Sequence, residues 1–447
     1  MPLKSKRVET RIVEHDWKRV VRLAFVAAGV IACVIGMFGA LRIGHARSAV
    51  KKSRMTGSLS HAIEAVRLSP GDPEGYSARA MAFATPAELL LRVEDLRRAI
   101  SLRPRDYKMW TELAKALDQL GDADAALAAL AEARALAPFY AGPHWQTGLL
   151  LQKLGQQDKA FSELRKATLT QPSLLRQVIE MAWEAYSGNC EAVQRAIDPR
   201  TSQEMIEVAH FFVRNGKASE ALGVVRSVNR LPYSERRQFV IEFLEDKRFG
   251  EAYELWTGMR EKNSSPAMPG TIDDGSFESG RVSDEPGFAW KINNTLGTNL
   301  SIDQSNSKSG QRSFRIDWQG SLDPSEELLS QIVLVKPNTQ YHLSFFARAQ
   351  ELLTGGAPLI VVTDISQMNN QILARSSRLP VGTSDWTNTS LSFSTTNSTS
   401  AVRVGLRRDT CSEHPCPVFG SLWLDDFSLI QQSTDLKTSQ EQHVSSN

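Results

Sequence analysis

The chain has 447 residues, of which 41% are hydrophobic and 23% are charged, and its formal net charge is +2. This length suits about three folded domains of ~100–200 residues each. The near-neutral charge argues against a dedicated nucleic-acid-binding protein, whose binding domain would be strongly basic. The 4 cysteines are too few and too scattered for a disulfide scaffold or a zinc ribbon.

The amino-terminal segment 1–22 is polar and basic, and segment 23–41 carries no charged residue. An apolar helix of that second length spans roughly 28 Å at ~1.5 Å per residue, close to the ~30 Å hydrocarbon core of a bilayer. We therefore predict a transmembrane helix over 23–41, preceded by a cytoplasmic basic segment. The sequence Ala46-Arg47-Ser48 would suit a signal-peptide cleavage site. However, the apolar run exceeds the ~7–15 residues of a signal-peptide core, which favours an uncleaved anchor.

A proline recurs every 34 residues beyond this segment, and an alanine stands five residues before each proline. The prolines are Pro70, Pro104, Pro138 and Pro172, and the alanines are Ala65, Ala99, Ala133 and Ala167. Small residues let antiparallel helices approach closely, and proline cannot continue the second helix of a pair. The spacing resembles the tetratricopeptide repeat family, clearly over 72–172 and more loosely over 56–260.

This resemblance implies an all-α solenoid of helical hairpins over 56–260, whose concave groove binds a protein or a peptide and performs no catalysis. In that family the groove is lined by the first helix of each repeat. Carried onto this register, the groove residues are Lys108, Thr111, Lys115, Asp118, Trp145, Leu149 and Gln152.

Helical periodicity stops at residues 261–270, which are predicted to form a linker. Short runs of alternating apolar and polar residues follow, separated by turn residues such as those in Lys336-Pro-Asn-Thr339. Such runs predict an antiparallel β-sandwich over 271–430. The last segment, 431–447, is polar and is predicted to be disordered. The fold class is thus multidomain: a transmembrane helix, an all-α solenoid and an all-β sandwich.

Several motifs within 271–430 occur in a characteristic order. They are Asp274-Gly-Ser-Phe-Glu278, Pro286-Gly-Phe-Ala-Trp290, the run from Tyr341 to Ala349, and Leu424-Asp-Asp-Phe427. Together they resemble the carbohydrate-binding jelly rolls of families four, nine and twenty-two. The resemblance implies a concave face that holds a sugar chain, and often a structural calcium ion, although no cofactor is expected to be required. Glu278 and Asp426 match the metal-binding acids of that family, and Ca²⁺ takes oxygen ligands.

Sugar rings stack on aromatic side chains while polar groups bind their hydroxyls. The candidate glycan-binding residues are Trp290, Arg348, Arg407 and Trp423. Trp423 alternates with two leucines, so it should point away from the core that the leucines fill. Trp318 keeps phase with Phe314 and Ile316 and is therefore predicted to lie in the core.

Cys411 and Cys416 close a short loop before the last strand. A disulfide between them would require an oxidising compartment, and a reduced pair is the alternative. Combined with the anchor, a disulfide favours a cytoplasmic amino terminus with the rest of the chain on the other side of the membrane.

Taken together, these features predict a single-pass protein of the bacterial inner membrane with most of its mass in the periplasm. The predicted function is a non-catalytic scaffold that binds a protein through its repeats and glycan through its sandwich, in assembly or export of an envelope polysaccharide. One alternative is a purely protein-binding assembly factor without sugar binding, and another is a glycan-active enzyme with an unrecognised site. The sequence contains no His-Glu-x-x-His pair, no phosphate-binding glycine loop and no Gly-x-Ser-x-Gly elbow.

Overall fold

The computed structural model describes residues 6–259, 268–280, 282, 286–411 and 416–432. It divides into two compact units, Met1–Asp198 and Pro199–Asn447. The predicted fold class is confirmed, since an apolar helix, helical hairpins and a two-sheet β-sandwich follow one another. Most of the predicted linker and nearly all of the predicted disordered tail lie outside the described residues.

The first helix, α1 (Lys6–Thr56), contains the predicted membrane span and also contributes to the first repeat. Its part from Arg19 to Thr56 is long and apolar enough to cross a membrane, by length and composition. Beyond the apolar run, α1 packs on α2 (Leu59–Leu68) and α3 (Pro73–Ala82). The contact is made by small side chains: Ala49, Val50, Ala62, Ala65 and Ala78. The end of α1, ahead of residue 56, therefore packs against the helices that follow it.

Antiparallel hairpins make up the rest of the first unit. The helices are α4 (Leu89–Leu102), α5 (Tyr107–Gln119), α6 (Ala123–Leu136), α7 (Ala141–Lys153), α8 (Gln157–Thr170), α9 (Leu175–Ala185) and α10 (Cys190–Ile197), with short 3-10 turns at Pro86–Glu88 and Pro172–Leu174. The four alanines of the 34-residue repeat are at most 1% exposed, as their role at helix contacts predicts. Asp106, two residues after a repeat proline, accepts a hydrogen bond from the backbone N–H of Lys108 and so caps α5.

The second unit starts with two further hairpins and continues into the sandwich. Its helices are α11 (Ser202–Arg214), α12 (Ala218–Ser227), α13 (Tyr233–Glu245) and α14 (Phe249–Thr257). Its strands are β1 (Lys291–Ile292), β2 (Thr298–Asp303), β3 (Ser313–Ser321), β4 (Leu329–Leu334), β5 (Gln340–Thr354), β6 (Pro358–Asp364), β7 (Ile372–Arg375), β8 (Thr387–Ser394), β9 (Ala401–Arg408) and β10 (Pro417–Gln431).

The strands form two five-stranded antiparallel sheets, in the orders β1-β4-β9-β6-β7 and β2-β3-β10-β5-β8. We call them the first and the second sheet. Apolar side chains of alternate positions fill the space between them, for example Val404 of the first sheet and Leu422 of the second. Trp318 belongs to this core and is 2% exposed, as its phase along β3 predicts.

The outer face of the first sheet contacts the hairpin formed by α13 and α14. Phe249 packs in one buried cluster with Ile365 and Ala401 of this sheet region. Polar side chains on the outer face of the second sheet are instead exposed to solvent, and Asn299, Gln319, Gln350 and Asn388 are among them. The second sheet therefore presents the open face of the sandwich.

Candidate functional site

Two of the four predicted glycan-binding residues meet on the open face of the second sheet. Trp423 of β10 pairs in register with Arg348 of β5, and on its other side with Arg315 of β3. Because directly paired residues project to the same face of a sheet, the three side chains form one row. Ser301 of β2 extends the row, since it pairs with Arg315.

The other two predicted residues lie elsewhere. Trp290 is in the sandwich core, where it is 2% exposed and its indole Nε1–H donates to the Asp274 backbone oxygen at 3.0 Å. Arg407 is on β9 of the first sheet, and its Nη2 lies 2.7 Å from Oε1 of Glu327. A glycan that contacted Trp423 and Arg348 would therefore not reach these two side chains.

Two guanidinium groups cover the Trp423 ring. The Arg315 guanidinium carbon lies 5.0 Å from the ring centre and that of Arg348 lies 5.7 Å from it. The indole Nε1–H donates to Oδ2 of Asp303 at 2.7 Å. Trp423 is only 1% exposed, so in this conformation its ring offers no free surface on which a pyranose could stack. The face direction predicted for Trp423 is observed, but a stacking role for its ring is not compatible with this burial.

The two arginines differ in their charge partners. Arg315 lies 2.8 Å from Asp317 and 3.6 Å from Asp303, measured between guanidinium nitrogen and carboxylate oxygen. Burial raises the pKa of Asp303, but hydrogen bonds from Trp423 and the Ser305 backbone outweigh it and leave the pKa lowered. Asp303 is therefore anionic and helps to neutralise Arg315.

Arg348 has a neutral partner instead. Its Nη1 donates to Oδ1 of Asn306 at 2.9 Å. Within the described part of the chain, no carboxylate lies within ion-pair distance of Arg348. The row on the open face thus combines one guanidinium that has two carboxylates within ion-pair distance and one that has none.

The predicted calcium acids, Glu278 and Asp426, contact the same loop. Oε1 of Glu278 accepts hydrogen bonds from the backbone N–H groups of Gln311 at 2.8 Å and Arg312 at 2.9 Å. Oδ1 of Asp426 accepts one from the Ser309 hydroxyl at 2.5 Å. Among the residues that the structure describes, no group of three or more His, Cys, Asp or Glu side chains is arranged to hold a metal ion. The described contacts are those of a hydrogen-bonded loop, and calcium binding at Glu278 and Asp426 stays a prediction.

Asp425, next to Asp426, is fully buried beside the same loop. Burial raises its pKa to about 6, although N–H groups of Lys308 and Ser309 donate to it and oppose the rise. These bonds hold the loop against β10.

The predicted groove residues lie on α5 and α7, which are the first helices of two successive hairpins. Lys108 is exposed, whereas Trp145, Leu149 and Gln152 of α7 are partly exposed. Thr111 is 8% exposed, and its hydroxyl donates to the Tyr107 backbone oxygen at 2.9 Å, so it packs inside the hairpin.

Two further groove residues form ion pairs with neighbouring side chains. Lys115 lies 2.8 Å from Glu112 of its own helix, and Asp118 lies 2.7 Å from Lys153 at the end of α7. The second pair joins the first helices of two successive repeats and stabilises their register.

The cysteines of the short loop, Cys411 and Cys416, form a disulfide with their Cα atoms 5.7 Å apart. Arg408 is buried beside this loop, and its Nη2 donates to the Cys416 backbone oxygen at 3.2 Å. The disulfide therefore lies beside the buried guanidinium of Arg408, which donates hydrogen bonds to backbone oxygens.

Sequence reasoning missed Arg315, Asp303 and Asn306 on the open face. Arg315 stands between two core residues of β3, and this alternation places it on the outer face. That signal could have found the residue, but only the pairing of β3 with β10 brings it to Trp423.

Comparisons with known proteins agree with both predicted resemblances. The tetratricopeptide repeat family model matches residues 107–140, which include α5 and α6. The crystal structure of MamA protein is 18% identical, covers 44% of this chain and 100% of its own, and has a TM-score of 0.32. The C-terminal domain is similar to carbohydrate-binding modules.

Two of these modules are solved structures. "Family 16 Carbohydrate Binding Module-2" is 20% identical, covers 36% of this chain and 98% of its own, and has a TM-score of 0.24. The CBM22-1 xylan-binding domain from Paenibacillus barcinonensis Xyn10C is 16% identical, covers 37% of this chain and 97% of its own, and has a TM-score of 0.26. No curated protein matches the chain in sequence.

Proposed function

We propose that this protein is a membrane-anchored, non-catalytic scaffold that binds a protein partner through its helical repeats and glycan through its β-sandwich. The observation that carries the proposal is the continuity of α1, which contains the apolar run and also packs as a helix of the first repeat. A repeat stack joined to a membrane helix without a break suits a fixed platform at the membrane surface.

Contacts beyond the apolar run support an anchor that stays uncleaved. Nη2 of Arg42 donates to the Leu68 backbone oxygen at 3.0 Å, one residue after the uncharged run ends. Ala46 is 2% exposed, and Arg47 lies 3.6 Å from Asp72. A peptide bond inside a packed helix is a poor substrate, because proteases prefer exposed, flexible segments. The intact mass of the chain purified from membranes should therefore include residues 1–46, and a chain that begins at Arg47 or Ser48 would contradict the proposal.

We place the amino terminus in the cytoplasm and the repeats and sandwich in the periplasm of a bacterial cell. The Cys411–Cys416 disulfide supports this orientation, since structural disulfides persist in oxidising compartments. A cysteine introduced at Leu296, which is 96% exposed, should react with a membrane-impermeant maleimide in intact spheroplasts. A cysteine at Trp17, on the other side of the apolar run, should react only after lysis. The reverse labelling pattern would overturn the orientation.

For the protein partner, we assign the surface formed by the first helices α5 and α7. Trp145 and Leu149 lie one turn apart on α7 and are partly exposed, so they offer apolar contact area at low cost in side-chain ordering. Crosslinking in native membranes, followed by purification of the full chain, tests this surface. Trp145→Ala combined with Leu149→Ala should remove a partner that the second-helix control Glu132→Ala retains. Identical partners in both variants would contradict the assignment.

For glycan, we assign the open face of the second sheet. Its exposed amide side chains, including Asn299, Gln350 and Asn388, suit hydrogen bonding to sugar hydroxyls. A scaffold with these two activities fits assembly or export of a cell-envelope polysaccharide, and this role is our proposal from the architecture. Affinity electrophoresis of the full chain in gels containing envelope polysaccharide should show retardation. A chain that retains its partner but migrates freely in all such gels would instead be a purely protein-binding assembly factor.

A further inference from the structure

We infer that the open face selects anionic glycans and binds a carboxylate of a uronic acid residue at the guanidinium of Arg348. This inference rests on the proposed glycan binding and names the chemical class of the ligand. It is carried by the difference between the partners of the two arginines that cover Trp423.

Arg315 and Arg348 cover the same indole ring, yet only Arg315 has a carboxylate within ion-pair distance among the described residues. Arg315 has Asp317 at 2.8 Å and Asp303 at 3.6 Å. Arg348 has the neutral amide oxygen of Asn306 at 2.9 Å, and its Nε is buried without a hydrogen-bond partner in the described structure. A partly buried guanidinium remains charged at any physiological pH, and Arg348 has no carboxylate within ion-pair distance among the described residues, so it can bind an added anion directly.

A second cation lies near Arg348 on the same face. Nζ of Lys308 lies over the Phe346 ring at 4.8 Å from its centre, and Phe346 is two residues before Arg348 on β5. Residues two apart on a strand share a face and are separated by roughly 6.6 Å. Asp425, which pairs with Phe346 across the sheet, is buried and accepts hydrogen bonds from the backbone N–H groups of Lys308 and Ser309. Two cations therefore face solvent here with no described ion-pair partner.

The geometry of Arg348 suits a carboxylate. A guanidinium that lies over an aromatic ring keeps its N–H donors at its edge, where they form a planar fork that matches the two oxygens of a carboxylate. Nη1 is held by Asn306 and Nε is buried, so the N–H groups left for a ligand are those on the two Nη atoms. These contacts limit the freedom of the side chain before the ligand arrives, which lowers the entropy cost of binding.

A neutral sugar would find little at this point of the face. Trp423 is 1% exposed and cannot serve as a stacking platform. The exposed aromatic of β10 is Phe419, which is 49% exposed and lies four residues, or roughly 13 Å, from Trp423. We therefore expect the sugar chain to run along β10, with one ring near Phe419 and an acidic ring at Arg348.

The test compares acidic polymers with their neutral counterparts. Polygalacturonate, alginate and hyaluronan, each beside its carboxyl-reduced form, are offered to the detergent-solubilised full chain, and affinity is measured by electrophoresis and calorimetry. At least one acidic polymer should bind at least tenfold more tightly than its reduced form, and this preference should shrink in high salt.

Substitutions then test whether Arg348 is the residue that binds the carboxylate. Arg348→Gln should lower the affinity for the acidic polymer at least tenfold and abolish the preference for it over its reduced form. The affinity of Arg348→Lys should lie between those of Arg348→Gln and the wild type. Arg378→Gln, whose Nε lies 2.9 Å from Asp409 beside the first sheet, is the matched control and should bind as the wild type does. Thermal unfolding of each variant shows whether the fold is retained.

The outcomes separate the inference from the proposed function. Equal binding of acidic and reduced polymers, or a preference that survives Arg348→Gln, overturns the inference and leaves glycan binding in place. Absence of binding to every polymer, acidic or reduced, overturns both.

Discussion

Gly148 of α7 lies directly against Leu164 of α8: a Cβ added at residue 148 would be 2.6 Å from Cγ of Leu164. The backbone oxygen of Ala160 would be 3.2 Å away, so the neighbouring helix could not yield by moving a side chain alone. At Gly148 the two helices of the hairpin therefore pack with no room for a side chain on α7.

Gly148→Ala should therefore destabilise the protein. Forcing an extra carbon into a packed contact costs about 1–3 kcal/mol. Gly142→Ala in the same helix is the matched control, because no atom lies within 4 Å of the Cβ it adds. Denaturant unfolding followed by circular dichroism measures the midpoint of each variant. Equal midpoints for the two variants would show that the helices accommodate the added carbon without loss of stability.

Trp256 connects the last hairpin to the sandwich. Its ring centre is 5.6 Å from that of Phe288, and Tyr253 meets the same ring edge-on at 4.9 Å. Gly287 allows this approach, because a Cβ there would be 2.3 Å from Cδ1 of Trp256.

Trp256→Ala should lower the free energy of unfolding by about 3–5 kcal/mol, the usual range for removal of a buried large aromatic. It should also split the thermal unfolding of the second unit into two steps, since the sandwich and the hairpin would no longer support each other. Differential scanning calorimetry of the full chain checks this. The control is Leu296→Ala, at a position 96% exposed. In this variant the second unit should still unfold in one step, at the wild-type temperature.

His210 of α11 links two successive hairpins through two carboxylates of α13. Its Nδ1 lies 2.9 Å from Glu242 and its Nε2 lies 3.1 Å from Glu235, and the ring stacks on Phe239. Burial lowers the pKa of His210, but the hydrogen bonds to the two glutamates outweigh it and leave the pKa raised. The imidazolium therefore stabilises the folded state.

A group whose pKa is raised on folding contributes fully below its unfolded value of ~6.5 and loses that contribution as pH rises through its folded pKa. We expect the thermal midpoint of the second unit to fall as pH rises from 6 to 9, apart from the effects of other groups. His210→Gln should flatten this slope, although Arg214 also acts on Glu242. The control is His342→Gln: the His342 ring contacts Ser392 of the neighbouring strand, and its removal should leave the pH dependence of the thermal midpoint unchanged. An unchanged slope in His210→Gln would contradict the assignment.

The Cys411–Cys416 disulfide closes a loop of sequence separation 5 beside buried Arg408. Closing a loop this short stabilises a fold by about 2 kcal/mol in the chain-entropy account. Reduction should accordingly lower the thermal midpoint of the sandwich. The double variant Cys411→Ser with Cys416→Ser should start at the lower midpoint and show no response to reductant, and a response in that variant would assign the effect to another thiol.

Repeat periodicity made the helical part predictable, because the contacts that stabilise a hairpin join residues a few tens of positions apart and recur in every unit. Ala99 and Ala133 are fully buried, as their spacing indicates. The start of the stack was not predictable in the same way. Ala49 and Val50 follow the apolar run of α1 without a break, and only their packing on α2 shows that this part of the helix belongs to the stack.

On the sandwich, alternation along one strand determined which way a side chain points but not what covers it. The phase of β10 predicts that Trp423 faces away from the core, and it does. Trp290 stands just before the short strand β1, where no alternation exists to show that it enters the core.

The sequence by itself therefore determined the order of the apolar helix, the repeats and the sandwich, because each has a local signal: an unbroken apolar run, a 34-residue repeat and a two-residue alternation. Only the tertiary structure decided the site. Arg315, Arg348 and Trp423 come from strands far apart in the chain, and they meet because β10 pairs with β3 on one side and β5 on the other. Such pairing depends on the register of backbone hydrogen bonds between distant segments, which leaves no period in the sequence to predict it.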